Sequence, residues 1–412
     1  MSSKILKNMS WLTVSNLAVK PLWFIFITYG CIYYMGLAQY GVMTAALALM
    51  SICDGSLTLG SSPYTIRELS RTPERSSEFF SNLLLSRIGM SLIAVILGLV
   101  IRIMLGTGAL DVVLFAGGYV LARNVLEYCR ALFRAHEIFQ YEAWSTMLEK
   151  VLVIGAGMWA LTVTPSAASA LMGMSLGMAV TFLLTFAWVT RGLAPFNWHL
   201  VSGKFFREAL PQAVPLGLSS IFVLLYYRTD SIMIEAFDGD LVTGQYGLAF
   251  RITEAMVLLP YIVTSVLLPR LSSLYASDGA AFGRLFKQGI AGMALTAGLA
   301  GSAVYLLAPW GIPLIDSSVD ALPAIPLLRI LVISFVISAI NQMMITHLTA
   351  TNQQNRLAVI LAIAAVLNIG LNLLLIPRFS AQGAAFATVA TQILLGLLFF
   401  AQMQRGPTKR TA

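Results

Sequence analysis

Charge is what this sequence has least of. Only 11% of its 412 residues are Asp, Glu, Lys or Arg, against 58% hydrophobic, whereas a soluble domain is about a quarter charged. No soluble fold could bury that much apolar surface. Cysteine is also scarce: Cys31, Cys53 and Cys129 fall in or beside apolar runs with no CxxC pair, so disulfide and zinc frameworks have no support. His136, His199 and His347 are scattered. There is no HExxH, no Walker A segment and no Asp-rich pair of the kind that holds magnesium on a diphosphate. No catalytic residue, metal or cofactor is therefore expected. A net charge of +8 and a pI near 9.5 would suit nucleic acid, but the basic residues sit mostly between the apolar runs, where topology requires them. A nucleic-acid partner is not expected.

What is present is a succession of apolar runs of about twenty residues, the length a helix needs to cross roughly 30 Å of hydrocarbon. The expected fold class is an all-α polytopic membrane protein of about twelve transmembrane helices in two six-helix bundles, related by a pseudo-two-fold axis along the membrane normal. The first six spans fall at about 11–34, 40–59, 83–104, 111–133, 146–163 and 168–190, the second six at about 214–236, 242–268, 288–307, 325–348, 357–376 and 383–403. Lys4 and Lys7 precede an apolar stretch without a small-residue cleavage site, so the first run reads as a retained span. The expected domains are an N-terminal bundle at 1–191, an amphipathic cytoplasmic linker at 192–211 and a C-terminal bundle at 212–412.

Lys and Arg alternate between loops as this count requires. Arg67, Arg71 and Arg75 follow span two, Arg130, Arg134 and Lys150 span four, and Arg191, Lys204 and Arg207 span six. Arg270, Arg284 and Lys287 follow span eight, Arg356 span ten, and Arg405, Lys409 and Arg410 close the chain, while the opposite loops hold only Arg102 and Arg378. Both termini are thus expected to be cytoplasmic. The connections 67–80 and 192–207 are amphipathic and suit a position along the membrane surface. Gln39-Tyr40-Gly41 and Gln245-Tyr246-Gly247 lie half the chain length apart, which suggests two parallel repeats.

Several charges lie where lipid would penalise them. A charge at mid-bilayer costs about 2.5 to 3.5 kcal/mol on insertion scales, so each needs a partner, a hydrated cavity or a route to the interface. Lys20 is in span one, Asp54 in span two, Arg123 and Glu127 in span four, Arg228 and Asp230 in span seven, Arg251 and Glu254 in span eight, and Arg329 in span ten. Arg123 with Glu127 and Arg251 with Glu254 have the spacing of self-neutralising helical pairs. Arg329 could snorkel, and Asp54 could be protonated or matched with Lys20. Lys20 and Arg228 have no such ready explanation. Together these cations suit a central hydrated cavity that attracts an anion, lined further by candidates Asn16, Tyr33, Tyr226, Tyr227, Asn341, Gln342, Asn368 and Asn372, each of which could equally serve as an interhelical or interfacial contact.

Two stretches carry a family resemblance. Residues 368–392, NIGLNLLLIPRFSAQGAAFATVATQ, have paired asparagines, an Ile-Pro span end and a small-residue opening of the last span; residues 227–254, YRTDSIMIEAFDGDLVTGQYGLAFRITE, add an Asp in span seven, a short acidic loop, a Tyr-Gly and an Arg-Ile-x-Glu run. The chain resembles the polysaccharide flippase family, the O-antigen and related lipid-linked oligosaccharide translocases of the multidrug/oligosaccharidyl-lipid/polysaccharide exporter superfamily. The resemblance implies export of an undecaprenyl-diphosphate-linked oligosaccharide from the cytoplasmic to the periplasmic leaflet of the bacterial cytoplasmic (inner) membrane by alternating access. Membrane lipids, a polysaccharide polymerase and a chain-length regulator are the candidate partners. It implies substrate-binding roles for Lys20, Arg123, Arg228, Arg251 and Arg329 and ion-coupling roles for Asp54, Asp230 and Glu254. No thirteenth or fourteenth apolar run exists, which disfavours a peptidoglycan precursor as substrate. A cation-coupled multidrug antiporter of the same superfamily should show acids outnumbering bases in its spans, and a glycosyl polymerase or ligase a large arginine-bearing outer loop; neither is seen.

Overall fold

The computed structural model describes residues 19–58 and 60–404. Lys4, Lys7, Asn16 and the basic end at Arg405, Lys409 and Arg410 lie outside the described residues. Among the described residues, regular structure is helical throughout. α1 runs Val19–Thr58, followed by α2 (Ser61–Leu69), α3 (Ser76–Leu105), α4 (Leu110–Ala135), α5 (Phe139–Val163) and α6 (Ala167–Gly192). Then come α7 (Gly203–Asp238), α8 (Asp240–Met256), α9 (Leu258–Ser277), α10 (Gly279–Ile315), α11 (Ala324–Ala350) and α12 (Gln354–Gln404).

Among the described residues, nine helical stretches are long and apolar enough to cross a membrane. The expected twelve crossings are recovered because two stretches each contain a pair. α1 breaks at Gly36 (φ 76°, ψ 168°) and also holds a π-turn at Ile25–Gly30. α12 breaks at Ser380 (φ 55°, ψ −145°), three residues after Pro377, whose ring removes an N–H from the helical ladder. α8 and α9 together form one crossing, Asp240–Ser277, and the 36 residues of α7 supply the remaining one. Helix ends follow local chemistry. Ser166 and Ser169 make a reciprocal capping box at the start of α6, and the Asp278 carboxylate accepts from Ala281 N at 2.9 Å at the start of α10.

The chain packs as two compact units, Met1–Leu224 and Leu225–Ala412. The division falls inside α7, beyond the 192–211 segment expected to link the halves. In unit 1, a cluster of buried aromatic and aliphatic side chains including Phe79, Phe80, Tyr128, Leu132 and Phe205 joins α3 and α4 to the start of α7. The Tyr128 hydroxyl donates to Phe79 O at 2.8 Å. α5 and α6 pack through Gly173 and Gly177, where an added Cβ would strike the main-chain oxygens of Ala156 and Leu152; this is the close approach that a small-xxx-small pair permits. Gly60 turns the chain between α1 and α2 at φ +71°, and a Cβ there would strike Ala213 O and Gly217 of α7. α2, which leads into the 67–80 segment, buries Tyr64 and Leu69 and exposes Arg67. Unit 2 is organised around buried Phe282, Phe286, Phe335 and Met343 and a second cluster with Leu348, Ile360 and Phe399.

Candidate functional site

Unit 1 contains a cavity of about 440 Å³ between α1, α2, α3, α4 and the first part of α7, within the range of small-molecule sites. Asp54, Arg87, Arg123, Asn124 and Glu127 contribute its charge and polarity, and Ser61, Ser62 and Ser220 its hydroxyls. The wall is thin where glycine replaces a side chain, at Gly55, Gly60 and Gly217.

Arg87 is buried, at 5% exposure, and takes only neutral acceptors. Nε and Nη2 donate to Ser61 Oγ at 3.1 and 2.7 Å, and Nη2 also reaches Ser62 Oγ at 2.6 Å. Nη1 donates to Asn124 O at 2.9 Å and to Asn124 Oδ1 at 2.6 Å. The guanidinium lies 4.9 Å from the centre of the Tyr128 ring, a cation–π contact. All five of its N–H groups thus find partners, yet its charge is not cancelled by a contacting carboxylate. Asp54, one asparagine away, accepts from the Ser91 hydroxyl and from Asn124 Nδ2 at 3.1 Å. Arg123 is exposed to the cavity, with its guanidinium 6.0 Å from the Tyr119 ring centre.

Two expected pairs are not made. Asp54 goes to Ser91 and Asn124 and not to Lys20, because α3 and α4 present hydrogen-bond donors directly to it. Glu127 does not neutralise Arg123. It bridges to Arg134, two turns further along α4, at 2.6 Å and reaches Arg130, one turn further, at 3.7 Å. Arg130 binds Glu149 at 2.7 Å, Arg134 binds Glu142 at 2.7 Å, and Lys150 binds Glu149 at 2.5 Å. Residues assigned from sequence to a basic loop are therefore partners in an ion network joining α4 to α5.

In unit 2 the Arg251–Glu254 pair forms at 2.7 Å, and Glu254 also binds Arg228 at 3.1 Å. Arg228 thus has the counter-charge that sequence did not supply, since α8 brings Glu254 beside α7. Asp230 is 2% exposed and accepts from Tyr246 Oη at 2.6 Å, Thr388 Oγ1 at 3.0 Å and Asn372 Nδ2 at 2.5 Å. Asn372 Nδ2 also donates to Asn368 Oδ1 at 3.1 Å. Asn341 Nδ2 donates to Gln392 Oε1 at 2.7 Å, and Gln392 Nε2 donates to Tyr226 Oη at 2.9 Å. The asparagines expected to line an open space are thus packed: Asn368 and Asn372 have no exposed surface. Tyr227 and Glu254 do border a small void of about 30 Å³, room for about one water.

Lys20 is exposed at the start of α1 and does not line the unit 1 cavity. Arg329 donates to Tyr305 O at 3.3 Å and lies 5.0 Å from the same residue's ring centre. Arg87 is the residue sequence reasoning missed. It sits inside the apolar run of α3, flanked by Ser86 and Ser91, and a cation so placed is itself the signal that could have found it.

Comparison with known proteins agrees with this architecture. In fold the chain is similar to the lipid II flippase MurJ in an inward closed conformation (TM-score 0.76, 15% identity, 97% of this chain and 87% of that one). It is also similar to an inward-facing multidrug resistance MATE family transporter of the MOP superfamily (TM-score 0.69, 16% identity, 95% and 97%). In sequence it is 23% identical over 414 residues to an uncharacterized membrane protein of Methanocaldococcus jannaschii, covering 95% of this chain and 96% of the relative. It is 30% identical over 190 residues to the probable flippase AglR of Haloferax volcanii, covering 44% of this chain and 38% of that protein. The polysaccharide biosynthesis protein family model matches residues 5–275, and with that match spanning most of a multi-pass helical chain of this fold, the chain belongs to the polysaccharide biosynthesis protein family.

Proposed function

We propose that this protein is a flippase that carries a polyprenyl-diphosphate-linked oligosaccharide, such as an undecaprenyl-linked O-antigen or similar surface-polysaccharide unit, from the cytoplasmic to the outer leaflet by alternating access. The observation that carries this reading is the unit 1 cavity, where Arg123 is open to the space and Arg87 adds a charge that no contacting carboxylate neutralises. A positive potential in a low-dielectric wall attracts a diphosphate, and the surrounding Ser and Thr hydroxyls suit the sugar next to it. Lys20, Arg228, Arg251 and Arg329 are secondary candidates for the same anion at other stages of its path. Asp54, Asp230 and Glu254 are the candidates for ion coupling. Among them Asp230 is surrounded by neutral donors, so an ion or proton arriving there meets no competing cation among the described residues. The reading is one of transport, in the cytoplasmic membrane, with both termini on the cytoplasmic side.

The fold is equally that of drug antiporters, and the cavity holds Asp54 and Glu127 beside its two arginines, Glu127 being already bound by Arg134. Vesicles containing the purified full-length chain and a lipid-linked oligosaccharide distinguish the two. Lectin-detected transfer of the glycan across the bilayer, lost in Arg123→Ala, supports the flippase. Transport of a cationic dye with no glycan transfer sinks it in favour of the antiporter.

A further inference from the structure

We propose that Tyr29, Tyr33 and Tyr34 form a carbohydrate platform on which pyranose rings of the transported oligosaccharide lie, an inference that rests on the flippase reading above. The Tyr29 and Tyr33 rings are offset-stacked with centroids 5.7 Å apart and planes at 23°, and Tyr34 meets Tyr33 edge-on at 5.3 Å and 83°. Their exposures are 44%, 67% and 37%, while Phe26 and Tyr40 on the same helix are 3% and 0% exposed. α1 thus buries one set of its aromatics and displays another. Among the described residues, none of the three displayed phenol hydroxyls makes a hydrogen bond, so each is open to a ligand.

The backbone isolates this segment. The π-turn at Ile25–Gly30, which contains Tyr29, shifts the helical register at the segment's start, a feature that recurs at functional sites. Gly36 then breaks the helix just after it, with open space where a side chain would stand. The chemistry matches sugars. A tyrosine face is electron-rich and meets the weakly positive axial C–H face of a pyranose, while the phenol oxygen at its edge can donate to or accept from sugar hydroxyls. Such contacts read ring shape more than linkage, so they suit a carrier of branched or variable glycans.

Charge on the same helix gives the ligand a direction. Lys20, also exposed, precedes Tyr29 by nine residues and Tyr33 by thirteen, or about 14 and 20 Å at 1.5 Å per residue. A lipid diphosphate at the level of Lys20 would bring the first few sugars to the level of the tyrosines. An acidic sugar-bearing lipid fits both ends of this helix segment.

The test uses the full-length protein in phosphatidylethanolamine/phosphatidylglycerol vesicles with two probes: undecaprenyl diphosphate without sugar, and the glycolipid fraction extracted from the cells that make the protein. The double variant Tyr29→Leu/Tyr33→Leu is expected to slow glycolipid transfer about ten-fold, the loss of two aromatic contacts, with affinity for the sugarless lipid and melting temperature unchanged. Tyr29→Phe/Tyr33→Phe, which keeps the rings, should fall between it and the wild type. If the Leu variant transfers glycolipid at the wild-type rate, the platform does not exist. If it loses both lipids equally, or melts early, the tyrosines are an interfacial anchor and the inference is overturned while the flippase reading stands. Wild-type protein that transfers no glycolipid removes the flippase reading, and the platform with it.

Discussion

Arg87 Nη1 donates to both the main-chain and the side-chain oxygen of Asn124, at 2.9 and 2.6 Å. Because the same asparagine gives its amide N–H to Asp54 at 3.1 Å, one neutral side chain serves a buried cation and a buried anion at once. Replacing it should therefore disturb both. Asn124→Leu, of similar volume, leaves Arg87 and Asp54 each short of a partner, and hydrogen bonds to charged groups contribute about 1.5 to 3 kcal/mol each. We expect a lowered melting temperature of the detergent-purified protein. A wild-type melting curve would show that water replaces the amide and that the bridge contributes nothing.

Arg123 and Arg87 should separate into a binding and a supporting role. Arg123→Ala removes a side chain that faces the cavity without ion pairing among the described residues, so it should leave folding intact and abolish glycan transfer. Arg87→Ala orphans Ser61, Ser62 and the Asn124 oxygens and should reduce the amount of folded protein. Arg87→Lys should rescue it only in part, since an ammonium has three donors where the guanidinium has five. Size-exclusion profiles and melting curves distinguish these outcomes from loss of transport.

The network on α4 and α5 makes a double-variant prediction. Glu149→Leu strips the contacting carboxylate from Lys150 and the close one from Arg130, whose side chains are 19% and 8% exposed. Breaking a buried pair from one side costs about 3 to 5 kcal/mol, whereas replacing both partners by apolar groups costs far less. Glu149→Leu should therefore melt well below the wild type, and Glu149→Leu/Arg130→Met should regain much of the difference. Additive losses would mean that the two side chains act independently.

His136 supplies the pH dependence. It lies beyond α4 with Nε2 2.8 Å from Ser76 Oγ, whose hydroxyl donates to Pro73 O at 2.5 Å, so the ring N–H is the donor. Partial burial holds the imidazole below its usual value of 6.5. The folded state then resists protonation more than the unfolded chain does. The contribution to stability is complete above about pH 6.5 and declines as pH falls below it. Melting temperatures at pH 7.5 and 5.5 should differ more for the wild type than for His136→Gln; equal slopes would remove His136 as the source.

The sequence made the membrane class and the crossing count legible, because apolar run length reports directly on the solvent each segment meets. It also placed Asp54, Arg123, Asp230 and Glu254 correctly inside spans. What it could not give was partners. Glu127 follows Arg123 by one turn and looks like its counter-ion, but Arg134, two turns further along α4, takes the carboxylate. Glu254 meets Arg228 only because two helices pack side by side. Arg87 went unnoticed because its acceptors come from Ser61, Ser62 and Asn124, which lie 25 to 37 residues away.

The joint at Ser380 has a meaning of its own. A residue with a β-carbon held at φ 55° and ψ −145° occupies a conformation that is otherwise almost reserved for glycine and is disfavoured by about 1 to 3 kcal/mol. Nothing in the local sequence prefers that shape, so the corner between the last two crossings must be imposed by the neighbours against which they lie. An isolated peptide spanning this corner would have no reason to keep it, and the hairpin is a property of the assembled bundle.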